Sequence, residues 1–349
     1  MSVRCDLPFP EPENTVLLGH GSGGALSQRL LDQLVLPALQ GDAYGSAHDS
    51  ATLELPTRSE GRFAFTTDSY VVSPRFFPGG DIGSLAVNGT VNDLAMAGAR
   101  PLWLSVGLIL EEGLPMGELK RVLDSVKGAA DAAGVSIVTG DTKVVDRGHG
   151  DGLYLNTSGV GAVEHGLTIG PQSIQAGDAI LLSGDIGRHG ICILAEREGL
   201  AFETIIESDT AALNEPVLAL VEAGLPVRCL RDLTRGGLAS GLKELMQSSE
   251  LSAKISEKDI LIDPHVRGAC EILGLDPLYV ANEGRMVAIL PKDASREAME
   301  ILAGFPVTAD TRVIGEVGDG PKGQLALEST IGTHRLVELL PGEQLPRIC

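Results

Sequence analysis

Ile82-Gly83-Ser84-Leu85-Ala86-Val87-Asn88-Gly89-Thr90-Val91-Asn92-Asp93-Leu94-Ala95-Met96-Ala97-Gly98-Ala99 predicts a helix that is apolar on nearly every face, through Ile82, Leu85, Val87, Val91, Leu94 and Met96. A helix without a polar face belongs inside a fold. This one nevertheless carries Asn88 and Asn92 one turn apart, and Asp93 beside them. Burying an uncompensated carboxylate costs several kcal/mol, so Asp93 needs a cation or strong donors. It serves either a structural pairing or a ligand site.

Outward from this helix, strand-like runs are expected at 62–67, 102–110, 135–139 and 153–163, with a second helix at 116–133. Ahead of them, His20-Gly21-Ser22-Gly23-Gly24 is a glycine-rich loop leading into a helix at 25–36. A second series follows: a strand at 178–183, helices at 187–198, 211–223 and 236–248, and strands at 285–290 and 313–317. The Gly- and Pro-bearing stretch 164–177 separates the two series. The expectation is therefore an α/β (α+β) protein of two units: a flexible arm at 1–14, an N-terminal domain at 15–165, a C-terminal domain at 175–338 and a mobile tail at 339–349. Length agrees, because single cores rarely grow past ~250–300 residues and the chain has 349.

The net charge is −20, which argues against nucleic acid and acidic membranes as partners. No leader-like h-region and no run of 18 apolar residues occur, so a soluble, cytoplasmic protein is expected. The five cysteines, Cys5, Cys192, Cys229, Cys270 and Cys349, form no CxxC pair, which disfavours a structural zinc site or a disulfide framework.

Acidic residues recur where strands give way to loops, at Asp68, Asp81 and Asp141, the last followed by Lys143, and Asp49 precedes the first clear strand. Singly each suits a cap or turn; as a group of hard oxygen ligands near a lysine they suit Mg²⁺ and phosphate. No GxxxxGK[ST] occurs, so any nucleotide is held without a P-loop. Arg231-Asp232-Leu233-Thr234-Arg235-Gly236-Gly237 precedes a helix, whose first N–H groups can face an anion. Ala281-Asn282-Glu283-Gly284 reads locally as a hairpin turn, with a catalytic base as the alternative for Glu283. The sequence closes on Leu345-Pro346-Arg347-Ile348-Cys349. Ten extended residues reach ~33–36 Å, so a thiol on this tether can enter a cleft and leave it, or simply fray.

Read together, HGSGG (20–24), TDSYVVSPRFFPGGDIGSLA (67–86), GTVNDLAMAGA (89–99), ILEEGLPM (109–116), GDTKVV (140–145), RDLTRGG (231–237), CEILGLDPLYVANEG (270–284) and LPRIC (345–349) resemble the HypE family of hydrogenase maturation factors. The resemblance implies a fold like aminoimidazole ribonucleotide synthetase, a homodimer formed through the N-terminal sheet, and ATP in the interdomain cleft. It implies that a HypF-type carbamoyltransferase loads Cys349 with a carbamoyl group. ATP-driven dehydration then gives a cyano group for a HypC–HypD complex, for the cyanide ligands of [NiFe] hydrogenase. It further implies His20, Gly21, Ser22, Gly23, Gly24, Asp68, Asn92, Asp93, Asp141, Asp232 and Asn282 as nucleotide contacts. Asp49, Asp68, Asp81, Asp93, Asp141 and Asp232 become Mg²⁺ ligands, and Cys349, Glu283 and Lys143 catalytic groups. Two positions depart from the family pattern: Asn88, where cysteine is frequent, and Arg188, which replaces an acidic residue. Rival readings are a selenophosphate synthetase or small-molecule kinase of the same superfamily, or a non-catalytic ATP-binding scaffold. A selenophosphate synthetase would carry Cys followed closely by Lys in its glycine-rich loop, and no such pair is present.

Overall fold

The computed structural model describes residues 15–17, 20, 29–39, 61–200, 204–340, 345 and 347–349. The expected arm, most of the glycine-rich loop and Asp49 lie outside the described residues. A π-helical stretch at Leu31–Val35 runs into the short helix α1 (Leu36–Leu39).

The buried helix of the sequence is α2 (Ile82–Met96). It starts where the Asp81 carboxylate accepts from Gly83 N and Ser84 N, with Ser84 Oγ returned to Asp81 N in a capping box. Its neighbour α3 (Met116–Ala133) buries Leu119, Val122, Leu123 and Val126 and ends at Gly134, whose φ of 68° suits a residue without Cβ. Both helices lie on one face of a four-stranded sheet in the order β1 (Arg62–Tyr70), β6 (Leu153–Val163), β4 (Arg100–Glu111), β5 (Ser136–Val145). β4 and β5 are parallel and the other pairs antiparallel, while β2 (Phe76–Phe77) and β3 (Gly80–Asp81) form a separate two-stranded ribbon ahead of α2. Strand alternation sends Tyr70, Leu104, Val106, Leu108 and Leu155 inward. The opposite face leaves Phe63, Ile109 and Phe65 exposed, the last by 71%.

The second unit is a seven-stranded sheet. Its order is β13 (His334–Leu336), β12 (Leu325–Glu328), β9 (Ser252–Ser256), β11 (Arg312–Gly318), β7 (Asp178–Leu182), β10 (Met286–Pro291), β8 (Cys229–Asp232). Only β12 and β9 pair in parallel. Every residue of β7 is buried, because both faces are covered. Leu238, Leu242 and Met246 of α6 (Gly237–Ser249) pack on Ile180 and Leu182. Val217 and Leu220 of α5 (Asn214–Glu222), with Ala298 and Leu302 of α8 (Ser295–Leu302), pack on Ala179 and Leu181. Two further helices, α4 (Arg188–Glu198) and α7 (Pro264–Leu273), lie together beside the junction.

The junction departs from the sequence reading in two ways. The units are separable by the stretch 164–177 in sequence, yet one apolar cluster runs through both, joining Leu85, Val87 and Val91 to Ile191, Ile193, Val266 and Val280. Also, both sheets are mainly antiparallel. The habit of α/β folds to gather ligands at parallel strand ends therefore does not place the site; the meeting of the two units does.

Close packing of α2 is testable. A Cβ on Gly83 would stand 2.6 Å from the Val122 carbonyl oxygen of α3. Gly83→Ala should destabilise the protein by about 1–2 kcal/mol, overpacking outweighing the gain of about 1 kcal/mol in helix propensity. Chemical denaturation measures this, and a stabilised variant would contradict so tight a contact.

Candidate active site

The tail is docked. Val71 N donates to Cys349 O at 3.1 Å and Ser73 N to Arg347 O at 3.4 Å, so the last residues lie along the chain beyond β1 like an added strand. Arg347 bonds back to Val71 O and pairs with Asp151 at 2.6 Å, while Arg197 holds Arg347 O at 2.8 Å. Ile348 is 4% exposed and packs in the shared core with Ile191, Val266 and Val280. Burying such a side chain is worth roughly 1.5–3 kcal/mol. Cys349 thus reaches a cavity of about 530 Å³ between the units, lined among others by Asp68, Ser69, Arg235 and Gly236. Burial, then the charge of Glu283, pushes its thiol up to about 12, against the pull of Arg235.

Glu283 is 3% exposed and Oε1 has no hydrogen-bond partner. Burial raises its carboxyl well above the usual range, and Asp232, Asp209, Asp68 and Asp93 raise it further. Burial, then Asp93, lifts Asp232, at the end of β8, to about 6. Asp93 is raised by burial and by Asp68, although Thr66 Oγ1 donates to it at 2.9 Å. Its partner is a hydroxyl, so this carboxyl, half-buried rather than fully buried as the sequence suggested, has no bonded cation among the described residues. Tyr70 is fully buried nearby, its phenol raised by burial and by Asp68 and Glu283 against a smaller opposing pull from Thr90.

Several residues hold this place together. Gly237 has φ 60°, and a Cβ there would meet Val280 O at 2.6 Å; the chain into Glu283 passes that close. Asn282 is consumed in support, accepting from Gly187 N and donating to Leu233 O and Val280 O. Asn92 ties the units, donating to Ala211 O at 3.0 Å and accepting from Leu213 N at 2.8 Å. Asp209 accepts from the backbone N–H groups of His189, Glu283 and Gly284. Glu283 is therefore no hairpin-turn residue, as its local sequence suggested. It precedes β10 and is held by contacts more than seventy residues distant in sequence.

Other sequence candidates lie elsewhere. The Asp81 carboxylate caps α2. Asp141 and Lys143 pair with each other at 2.8 Å, exposed on β5. Their register partners are Gly107 and Ile109 on the sheet's outer face, away from α2 and Glu283. His20 is buried, its Nδ1 accepting from Leu17 N at 2.9 Å; Gly21, Ser22, Gly23, Gly24 and Asp49 lie outside the described residues. Arg188 bonds to Asp185 and Asp263, which gives the departing residue a local role. Sequence reasoning missed His189, Tyr70 and Asp209, and left Arg235 unassigned within a motif it had quoted.

Family models for the AIR synthase related protein match this architecture, the N-terminal domain over residues 47–163 and the C-terminal domain over 175–328. The fold and cleft thus define a two-domain AIR synthase-related protein. The chain is 47% identical to the carbamoyl dehydratase HypE of Cupriavidus necator over the whole of both chains. It also resembles a crystal structure of the hydrogenase maturation protein HypE in complex with ATP, at 46% identity and TM-score 0.92, covering 96% of this chain and all of that one. A chain in a crystal structure of a HypE–HypF complex aligns at 40% identity and TM-score 0.78, over 91% of this chain and all of that one. The chain belongs to the HypE family of carbamoyl dehydratases.

Asp68 raises Asp93, these two raise Asp232, and all three raise Glu283 by repulsion, and their hard oxygens suit Mg²⁺. Among the described residues no three metal-binding side chains already stand around a common point, so the fit lies in charge and donor type. Asp232→Asn should raise ligand-free stability by about 1–3 kcal/mol, following the two-unit rise of this carboxyl. A raised carboxyl costs stability wherever the unfolded chain would ionise it, the cost growing from the unfolded pKa up to the folded one. The gain should therefore be complete above pH about 6 and vanish towards pH 4. The same change should weaken Mg·ATP binding. Thermal unfolding and titration calorimetry measure both, and an unstable variant with unaltered affinity would return Asp232 to a structural role.

Proposed function

We propose that the protein dehydrates a carbamoyl group on Cys349 to a cyano group at the expense of ATP, supplying cyanide ligands for [NiFe] hydrogenase. The observation that carries this reading is the Cys349 thiol docked in the interdomain cavity, within electrostatic reach of the buried Glu283, whose Oε1 has no partner.

The tail works in two positions. With its thiol at about 12 when docked, Cys349 is protonated at neutral pH and a poor nucleophile there. Carbamoyl loading by a HypF-type carbamoyltransferase therefore belongs to the undocked tail, which later hands its product to a HypC–HypD complex. The docked thiocarbamate carries an oxygen that leaves poorly. Transfer of the γ-phosphoryl group of ATP to that oxygen turns it into phosphate, and removal of the two nitrogen protons expels phosphate and leaves a carbon–nitrogen triple bond. Glu283, once ionised, takes a proton; its raised carboxyl makes it a stronger base than an ordinary carboxylate. Mg²⁺ held by Asp68, Asp93 and Asp232 would supply counter-charge to the phosphates. With these aspartates neutralised, Glu283 is free to ionise.

Lys143 requires a second chain. It lies on the outer sheet face, which also exposes Phe63, Phe65 and Ile109. An exposed apolar face of this kind fits a second copy, and a homodimer through it brings Asp141 and Lys143 to the partner's cleft. The described cysteines, Cys192, Cys229, Cys270 and Cys349, are free thiols, which suits the reducing cytoplasm. Among the described residues no helix is long and apolar enough to cross a membrane.

Cys349→Ala should bind ATP and form no cyano group, read by mass spectrometry of the tail peptide as no loss of water from a carbamoylated form. Glu283→Gln and Lys143→Ala should each be inactive alone. Mixed as subunits, they should recover about a quarter of wild-type turnover, because one site in half of the two-fold dimers has both groups. No recovery would place Lys143 outside the partner's site.

A further inference from the structure

His189, the second residue of α4, is fully buried, and the steps above give it no task. Its Nε2 lies 2.7 Å from the Ile348 carbonyl oxygen. A carbonyl only accepts, so Nε2 carries the proton. Nδ1 lies 2.8 Å from Ser208 Oγ, which itself accepts from Thr210 N at 3.1 Å. The serine proton is thus turned toward Nδ1, and the ring is fixed as the neutral Nε2–H tautomer. Phe77 packs edge-on against it, with ring centroids 5.6 Å apart. The next residue along, Asp209, accepts from His189 N at 3.2 Å and Glu283 N at 3.3 Å. Two adjacent residues therefore orient the imidazole that grips the tail and anchor the backbone of Glu283.

We infer that His189 is a positioning residue for the dehydration, gripping the peptide between Ile348 and Cys349 so that the sulfur enters the cleft in one register relative to Glu283. The inference rests on the docked tail being the reacting state. Apolar contact of Ile348 attracts but does not direct. A slip of one residue along an extended segment moves it by about 3.3 Å and turns its side chain to the other face. The His189 bond lies one peptide from the sulfur-bearing residue and forbids that slip. Ser208 sets its donor, and Asp209 ties it to the base.

The test is alkylation of Cys349 by iodoacetamide in the intact, ligand-free protein, alongside cyano formation. His189→Ala should be alkylated about three- to tenfold faster, the effect of one lost hydrogen bond on the undocked fraction. Its cyano formation should fall about ten- to a hundredfold from misplacement. His189→Gln keeps an N–H near Nε2 and should restore both towards wild type. Alkylation needs neither ATP nor a carbamoyl donor, so it reads the grip alone. An unchanged rate in folded His189→Ala, or no rescue by glutamine, overturns the grip. Faster alkylation with undiminished cyano formation overturns instead the docked-tail reading beneath it. Nitrogen NMR of the wild-type imidazoles is decisive where the alanine variant does not fold. An Nε2–H tautomer that shifts when Cys349 is alkylated is expected, and an Nδ1–H ring indifferent to alkylation overturns the proposal.

Discussion

Unmatched negative charge at the junction of the two units is the constraint on which the rest depends. Glu283 is buried with an unpartnered oxygen and faces Asp68, Asp93 and Asp232, each contributing to its raised carboxyl. A protein selected for stability alone would replace such a group, since a buried carboxyl with an unpartnered oxygen costs stability whether it ionises or holds its proton. The surroundings sustain it instead. Asn282 spends its amide on Gly187, Leu233 and Val280, and Asp209 fixes the backbone on either side of Glu283. Strain of this sort is a common companion of catalytic sites, where activity is bought with stability.

The shared apolar cluster makes that charge possible. Two cores meeting only at a polar boundary would let water reach Glu283 and relax its carboxyl. Leu85, Val87 and Val91 on one side and Ile191, Val266 and Val280 on the other keep the junction dry. The polar ties across it, such as Asn92 to Ala211 and Leu213 and Asn214 to Ala133, satisfy backbone groups that burial would otherwise orphan. Within that setting the docked thiol is silenced and its neighbouring carboxyl raised by one cause, removal from water.

Much of the fold was legible because its decisive elements are long and periodic. The helix at 116–133 and the strand at 153–163 have the expected bounds, and the largely apolar stretch 82–99 announced a buried helix, found at Ile82–Met96. Short elements were not legible: β8, β9, β12 and β13 have three to five residues, too few for alternation to register. α7 and α8 also went unread. The candidate site divides along the same line. Asp68, Asp93, Asp232, Glu283 and Cys349 were named and stand together electrostatically. The burial of Glu283 depends on Asp209, and the grip of His189 on Ile348, 159 residues away; no local pattern encodes such pairings. Conversely, Asp81 and Lys143 looked alike as loop-edge charges, and only cap geometry and strand register separate them.

The enclosed Ile348 side chain sets the terms on which the tail departs. Withdrawal uncovers an isoleucine and leaves an apolar hollow between α4 and α7, so leaving is uphill by roughly the transfer energy of that side chain, about 1.5–3 kcal/mol. At rest, an idle enzyme keeps its sulfur indoors in all but a few per cent of molecules. Whatever collects or loads the cysteine must then offer the isoleucine a comparably greasy seat, so that exchange between enzyme and acceptor becomes a transfer between two similar sockets rather than a plunge into solvent.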